Sequence, residues 1–304
     1  MTTKVVLIAG AARSGSTFLS QVLSQNDDCA NVGQIRHMPV SYGRDRMCSC
    51  GQLMSKCALW GAVAASMVAK YGPDAIATLK VGFGTFQALS ETKPTWSDAD
   101  QRAEMTAESA EFLTMLTDLY GFTAQASGGR TLIDSSKLPS IGLGLLLAKD
   151  ISLHVVNLIR DPRGVACSWA KLVKDPQVLR MRCRNWNKRL DNIDELEAIP
   201  GAKVFRLRYE DFTAAPRKLI EDMQRWAGLT VGTPNFSDDM SAAISWDRTH
   251  LFPPANEEVL AKKESYITIK ASESWKSEAN RAVREISEKV NFPKAEQVGY
   301  HLAV

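Results

Sequence analysis

The stretch Lys4-Val5-Val6-Leu7-Ile8-Ala9-Gly10-Ala11-Ala12-Arg13-Ser14-Gly15-Ser16-Thr17-Phe18-Leu19 decides the fold. Its first six residues form a continuous β-rich apolar run, the pattern of a strand buried on both faces of a parallel sheet, and Phe18 to Leu23 has helical character. Strand, loop and helix therefore follow in immediate succession. The strand pattern returns at Arg130–Ile133, Leu153–Ile159 and Lys203–Leu207, each with an apolar helical stretch nearby. This alternation predicts an α/β fold, a P-loop-like central parallel β-sheet flanked by helices, with ligands gathered outside the carboxyl ends of the strands. Polar residues follow each strand as that rule requires: Arg13 to Thr17, Asp134-Ser135-Ser136-Lys137, Arg160-Asp161-Pro162-Arg163 and Tyr209-Glu210-Asp211.

The composition is compatible with such a sheet. The 304 residues are 45% hydrophobic, enough for a substantial core, which excludes disordered, collagenous and small disulfide-framework classes. Lysine and arginine (37) exceed aspartate and glutamate (34) by only +3, so no nucleic-acid partner is expected and any basic site must come from placement. No apolar run reaches the ~20 residues of a membrane span, and no cleavage site follows the first apolar stretch, so the expectation is a soluble, cytoplasmic protein without a membrane partner. Its six cysteines are expected as reduced thiols, with a local disulfide among Cys48, Cys50 and Cys57 left open.

Residues 1–304 are expected to form one domain. Between residues 36 and 125 the strand signal fades, which predicts an inserted, mainly helical lobe with an amphipathic helix from Asp98 to Leu119. Residues 246–276 are polar, carry Pro253-Pro254, and read as a loop or lid before a final helix.

Gly10 to Thr17 has the spacing of a phosphate-binding loop, glycines at Gly10 and Gly15 and a closing Thr17 at a helix start. The lysine that precedes the terminal hydroxyl residue in nucleotide triphosphatases is replaced by Ser16, and the positive charge sits at Arg13. Backbone amides, Arg13 and the hydroxyls can still hold one phosphate; a plain strand-to-helix turn is the alternative. A second anion site is read at Arg160 to Ser168, where Arg160 ends a strand and Pro162 opens a helix. Its alternative is an Arg160–Asp161 ion pair that caps the helix.

Two anion sites on one sheet suggest a nucleotide with phosphates at both ends. Ala12 to Leu19 resembles the 5′-phosphosulfate loop, and Arg160-Asp161-Pro162-Arg163 through Ser168 the 3′-phosphate motif, of sulfotransferases that use 3′-phosphoadenosine 5′-phosphosulfate (PAPS). The two motifs lie in the family's order, about 150 residues apart. Asp134 to Lys137 resembles the segment that supplies a lysine to the transferring group in the carbohydrate and tyrosylprotein branches, and Arg208 to Phe212 resembles the family's Tyr-Glu-Asp segment. Cys48-Ser49-Cys50-Gly51 with Cys57 and Trp60 is similar to an element of bacterial carbohydrate-type members. Weaker matches fall at Asn256 and at Trp275-Lys276.

The resemblance implies PAPS as co-substrate, a saccharide or small-molecule hydroxyl as acceptor, and PAPS contacts from Arg13, Ser14, Gly15, Ser16, Thr17, Phe18, Arg160, Ser168 and Tyr209. Tyr209 would touch adenine or simply pack at the strand end. Lys137 and Arg13 would stabilise charge on the transferring group. The family's basic glutamate follows a glycine after the first helix, and here Gly33 is followed by Gln34, an amide that cannot usefully accept a proton. His37, with an ordinary pKa near ~6.5, is the candidate replacement base. Asp134 would orient Lys137 or cap the next helix, His154 would sit in the core, and His250 in the lid. Trp96, Trp186, Trp246 and Trp275 suit a core or a sugar platform equally.

The implied reaction requires no metal, and no ligand set spaced for one is evident. Three clustered cysteines lack a nearby fourth ligand, and His37 is the only histidine close to them in sequence; a structural zinc site stays open. Two rival readings remain: a small-molecule kinase, which should carry lysine at position 16, and a nucleotide-binding protein without turnover, which Gln34 would suit.

Overall fold

A computed structural model describes residues 2–247, 249–253 and 257–301. Five strands form one parallel sheet in the order β2-β3-β1-β4-β5, comprising β1 (Thr3–Gly10), β2 (Cys29–Gly33), β3 (Thr131–Lys137), β4 (Ile151–Ile159) and β5 (Val204–Arg208). The central strand β1 pairs Val5 with Leu132 on one side and with Leu153 on the other. Alternation along β1 divides the interior. Val5, Leu7 and Ala9 join Trp60, Leu116 and Tyr120 on the side of the helical lobe, whereas Val6 and Ile8 join Leu19, Val22, Phe212 and Ile220 on the other. Burial on both faces is why β1 reads as an unbroken apolar run.

The sequence did not reveal β2. Cys29-Ala30-Asn31-Val32-Gly33 has no β-branched run, yet every residue is buried. Asn31 is tolerated there because its amide donates to Gln21 Oε1 at 2.7 Å, which satisfies a polar group in the core. Strand β3 runs four residues beyond the expected Ile133 and carries Asp134 to Lys137 within it.

Residues 35–126 contain helices at Met38–Gly43, Ala58–Tyr71, Ala75–Thr92, Ala99–Glu108 and Ala110–Ala126. The single helix expected from Asp98 to Leu119 is two, broken at Ser109 (φ −113°, ψ 13°). The break lets the second helix bury Phe112, Leu116, Leu119 and Tyr120, while the first buries only Met105. Within 246–276 the structure has a helix at Glu257–Lys262 and a short strand β7 (Tyr266–Thr268) that pairs antiparallel with β6 (Ser241–Ala243). Asn256 lies outside the described residues. The final long helix is Arg281–Asn291.

No helix among the described residues is long and apolar enough to cross a membrane. None of the six cysteines forms a disulfide.

The end of β1 tolerates no side chain at position 10. Gly10 has φ 137°, and a Cβ there would stand 2.4 Å from the Leu158 carbonyl oxygen of β4. Gly10→Ala is therefore expected to cost at least ~2 kcal/mol and to lower the denaturation midpoint by several degrees. An unchanged midpoint would refute this spacing between β1 and β4.

Candidate active site

The loop after β1 and the loop after β4 meet as one unit. Arg160, just beyond β4, donates from Nη1 to the Arg13 carbonyl at 2.9 Å, and Arg13 Nε donates to Ser168 Oγ at 2.9 Å. The alternative Arg160–Asp161 pair does not form. Asp161 instead caps the Pro162–Ala170 helix, accepting from the Arg163 amide at 2.8 Å and from the Arg163 guanidinium at 2.7 Å. Arg163 in turn lies over the Trp275 ring, 4.2 Å from its centroid.

The Tyr-Glu-Asp segment buttresses both loops. Tyr209 presents its ring to Arg160, with 4.4 Å between guanidinium carbon and ring centroid, and its other neighbour is Gly15, where a Cβ would stand 3.3 Å from the ring. The Tyr209 hydroxyl accepts from the Ser272 amide at 3.2 Å. Glu210 accepts from the Asp161 amide at 3.1 Å and from the Tyr300 hydroxyl at 2.5 Å. Phe212 packs edge-on against Phe18, with centroids 6.2 Å apart.

Gly15, in left-handed backbone (φ 94°), precedes the Ser16–Leu23 helix, whose start has no side-chain cap. The first-turn amides, with Thr17 among them, are therefore open to an anion. Ser14 Oγ is buried without a hydrogen-bond partner in the protein, a donor for which a bound anion would be the natural acceptor. Beside Phe18 a cavity of about 140 Å³ is lined by Gln21, Ile244, Trp246 and Ile267.

Lys137 owes its position to a bulge. Between Leu7 and Ala9 of β1 the partner strand advances from Asp134 to Lys137, three residues against two, and β3 also shifts register against β2 at Asn31/Gly33. Lys137 emerges with φ 68°, and Arg13 has φ 74°, so both cations expected at the transferring group sit in strained left-handed backbone. Burial, with the positive charges of Arg36 and Arg13, pulls the Lys137 ammonium down to about 8, although Asp134 acts in the opposite direction. Asp134 neither caps the following helix nor forms a hydrogen bond with Lys137. It accepts from the Ser136 amide at 2.8 Å and hydroxyl at 2.6 Å, and from the Tyr120 hydroxyl at 2.5 Å. Its role toward Lys137 is one of charge.

Gln34 is buried at the end of β2, and a short 3₁₀ turn (Ile35–His37) carries Arg36 and His37 onward. The Ser136 hydroxyl accepts from the Arg36 amide at 3.4 Å, and Ser135 Oγ donates to the Gly33 carbonyl at 3.2 Å, so the ends of β2 and β3 are stitched together. Burial, then Arg36 and Lys137, depress the His37 imidazole to about 4.

Two residues that the sequence did not single out belong to this charge cluster. Arg36 is pulled down by burial, and its Nε is buried with no partner in the protein. Arg189, in the middle of the Pro176–Glu197 helix, is pulled down to about 10 by burial and by Arg36. Arg36 lies within the stretch that attracted attention for Gln34, whereas Arg189 carries no sequence signal at all. His154 is a core residue, edge-on to Trp226 at 5.1 Å. Trp96 and Trp186 are buried, and Trp186 Nε1 donates to the Arg160 carbonyl at 3.0 Å. The fold also corrects the reading of the cysteine cluster, since His250, distant in sequence, lies beside Cys48 and Cys57.

The profile of the sulfotransferase family matches residues 6–233. This chain belongs to the sulfotransferase family. Solved structures agree on the fold of this sulfotransferase. The sulfotransferase domain of the curacin biosynthetic pathway superposes with a TM-score of 0.50 at 17% identity, covering 99% of both chains. The sulfotransferase domain of the Synechococcus PCC 7002 olefin synthase gives 0.53 at 16% identity, covering 99% of this chain and 96% of the other. No curated protein sequence matches the chain.

The depressed His37 has a testable signature. A folded pKa near 4 against ~6.5 unfolded means that the unfolded chain takes up a proton between these values and the folded chain does not. His37 thus favours folding above about pH 6.5 and loses that contribution as the pH falls toward 4. The His37 ring resonances are expected to stay at their neutral positions from pH 7 to 5 in an NMR titration of the ligand-free protein. A midpoint at 6 or above would show that His37 is not held beside Arg36 and Lys137.

Proposed function

We propose that this sulfotransferase moves the sulfuryl group of PAPS to a hydroxyl of a saccharide or small hydroxylated metabolite and releases adenosine 3′,5′-bisphosphate. The observation that carries this reading is the joining of the two anion loops through Arg160, Arg13 and Ser168, which suits one ligand with a phosphate at each end. The open amides at Ser16 and Thr17, with Ser14 and Arg13, fit the 5′ side. Arg160 and Ser168 fit the 3′-phosphate. Phe18 would face the base. Tyr209, stacked on Arg160, would position that arginine beside the nucleotide.

In the transfer the acceptor oxygen forms a bond to sulfur as the bond from sulfur to the bridging 5′-phosphate oxygen breaks, and the hydroxyl proton leaves late. Lys137 and Arg13 would stabilise the charge on the sulfuryl and leaving oxygens. His37, neutral because it is buried beside cations, keeps a lone pair available. An anionic donor beside it offsets Arg36 and Lys137 and so raises its proton affinity. The helical lobe at 36–125 would shape the acceptor side, and 246–276 would act as the lid.

A kinase reading is not supported. Position 16 is serine, and three of the acids at the strand ends are engaged: Asp134 with Tyr120 and Ser136, Asp161 with Arg163, Glu210 with Tyr300. Isothermal titration should give micromolar binding of adenosine 3′,5′-bisphosphate and little binding of ATP–Mg²⁺; the reverse order would remove the assignment. Under the same reading Lys137→Ala lowers kcat ~10²-fold or more while PAPS affinity changes far less. Near-wild-type kcat would exclude Lys137 from the reaction.

The buried Gln34 favours a second reading, in which the nucleotide site is retained and turnover is lost. Gln34→Glu is expected to raise sulfate transfer to a proven acceptor if position 34 once supplied the base. Unchanged or lower activity would leave the proton to His37.

A further inference from the structure

The segment that holds His250 is bound to the cysteine loop by hydrogen bonds in both directions. Ser49 Oγ donates to the Thr249 carbonyl at 2.7 Å, the Ser49 amide donates to the Leu251 carbonyl at 2.7 Å, and the Leu251 amide returns a bond to Ser49 Oγ at 2.9 Å. The His250 amide donates to the Asn31 carbonyl of β2 at 2.9 Å, and the His250 carbonyl accepts from Trp60 Nε1 at 3.0 Å. On the cysteine side Gly51, in left-handed backbone (φ 86°), closes a tight turn with its amide bonded to the Cys48 carbonyl at 2.9 Å. Cys57 is the residue before the Ala58–Tyr71 helix.

These restraints bring four donor atoms together. Cys57 Sγ lies 3.7 Å from Cys48 Sγ and 3.7 Å from Cys50 Sγ, and His250 Nδ1 lies 3.3 Å from Cys57 Sγ and 3.7 Å from Cys48 Sγ. All four atoms fall within 4.8 Å of one another. A tetrahedral zinc ion with Zn–S of ~2.3 Å and Zn–N of ~2.0–2.1 Å has S–S edges of about 3.8 Å and S–N edges of about 3.6 Å. A disulfide needs sulfurs ~2.05 Å apart, so the spacing suits a metal and not a cross-link. Three thiols and an imidazole nitrogen select zinc over the hard cations magnesium and calcium.

We propose that Cys48, Cys50, Cys57 and His250 bind one zinc ion in a closed structural site that clamps the 249–252 segment to the cysteine loop. The clamp sits against the acceptor side of the sheet. Leu251 packs over Gly33, where a Cβ would stand 3.1 Å from its side chain, and the next residue is Gln34. The zinc takes no part in chemistry, so the site stands whether or not the chain transfers sulfate.

The test is the metal content of protein prepared without a polyhistidine tag. Mass spectrometry of the acid-released metal is expected to find one zinc per chain. Protein grown with cobalt in place of zinc should show the intense d–d bands of a tetrahedral ion together with thiolate-to-cobalt charge transfer. His250→Ala and Cys57→Ser should each lose most of the zinc. Should either variant fail to fold, the cobalt spectrum of the parent protein and a lower denaturation midpoint after chelation decide the matter. Zinc-free protein with three freely titrating thiols, a disulfide among these cysteines, or zinc retained in both variants would each overturn the site.

Discussion

Arg160 holds the two strand-end loops in one piece. Its guanidinium donates to the Arg13 carbonyl and stacks on Tyr209, its own carbonyl is taken by Trp186, and Tyr209 rests on Gly15. A planar, permanently charged group can stack on a ring and bond a carbonyl at once, which a lysine ammonium cannot do with the same geometry. Several local features follow from that contact. Arg13 is held in left-handed backbone, a strain that only a well-determined surrounding sustains. Position 15 must be glycine twice over, for its φ of 94° and for the tyrosine ring beside it. The Asp161 cap and the Glu210 bridge to Tyr300 then fix the helix that carries Ser168 relative to the same arginine.

The interior facing these loops is electrically unbalanced. Lys137, Arg36 and Arg189 each have their proton affinity lowered by burial, and Arg36 lowers those of Lys137, His37 and Arg189. Asp134 is the counter-charge acting on both Lys137 and Arg36, yet burial raises its own pKa, and its oxygens are occupied by Tyr120 and Ser136. An anion placed among these groups would relieve their mutual repulsion and give the orphaned Arg36 Nε an acceptor. An anion that bound here would therefore add to folding stability.

What was legible in the sequence was local. The Lys4–Ala9 run, the glycine spacing after it and Pro162 after Arg160 each express a constraint met within a few residues, and they located β1, β4 and the two loops. What was illegible depended on contacts distant in the chain. β2 is a strand because Gln21 and β3 satisfy its polar groups, not because its residues favour strands. Arg189 is an ordinary helical arginine until the fold sets it near Arg36. The cysteine element lacked a fourth partner in sequence because that partner arrives with a segment about 200 residues later, tied in by Ser49.

The site divides along the sheet, and Lys137 stands at the division. The ends of β1, β4 and β5 supply the two loops joined by Arg160 and their Tyr209 support, whereas the end of β2, with Leu251 packed over Gly33, leads into Gln34 and the turn that carries Arg36 and His37. The bulge in β3 joins these halves. Because three residues of β3 span two of β1, the chain turns sharply at Lys137, and inside the bulge the Ser135 hydroxyl bonds to the end of β2 and the Ser136 hydroxyl to the Arg36 amide in the turn that follows it. Removing the bulge would restore regular pairing with β1 and flip the lysine to the opposite face, since a one-residue shift reverses every side chain. The irregularity is what lets one strand present a cation to one half of the site while holding the other half in register.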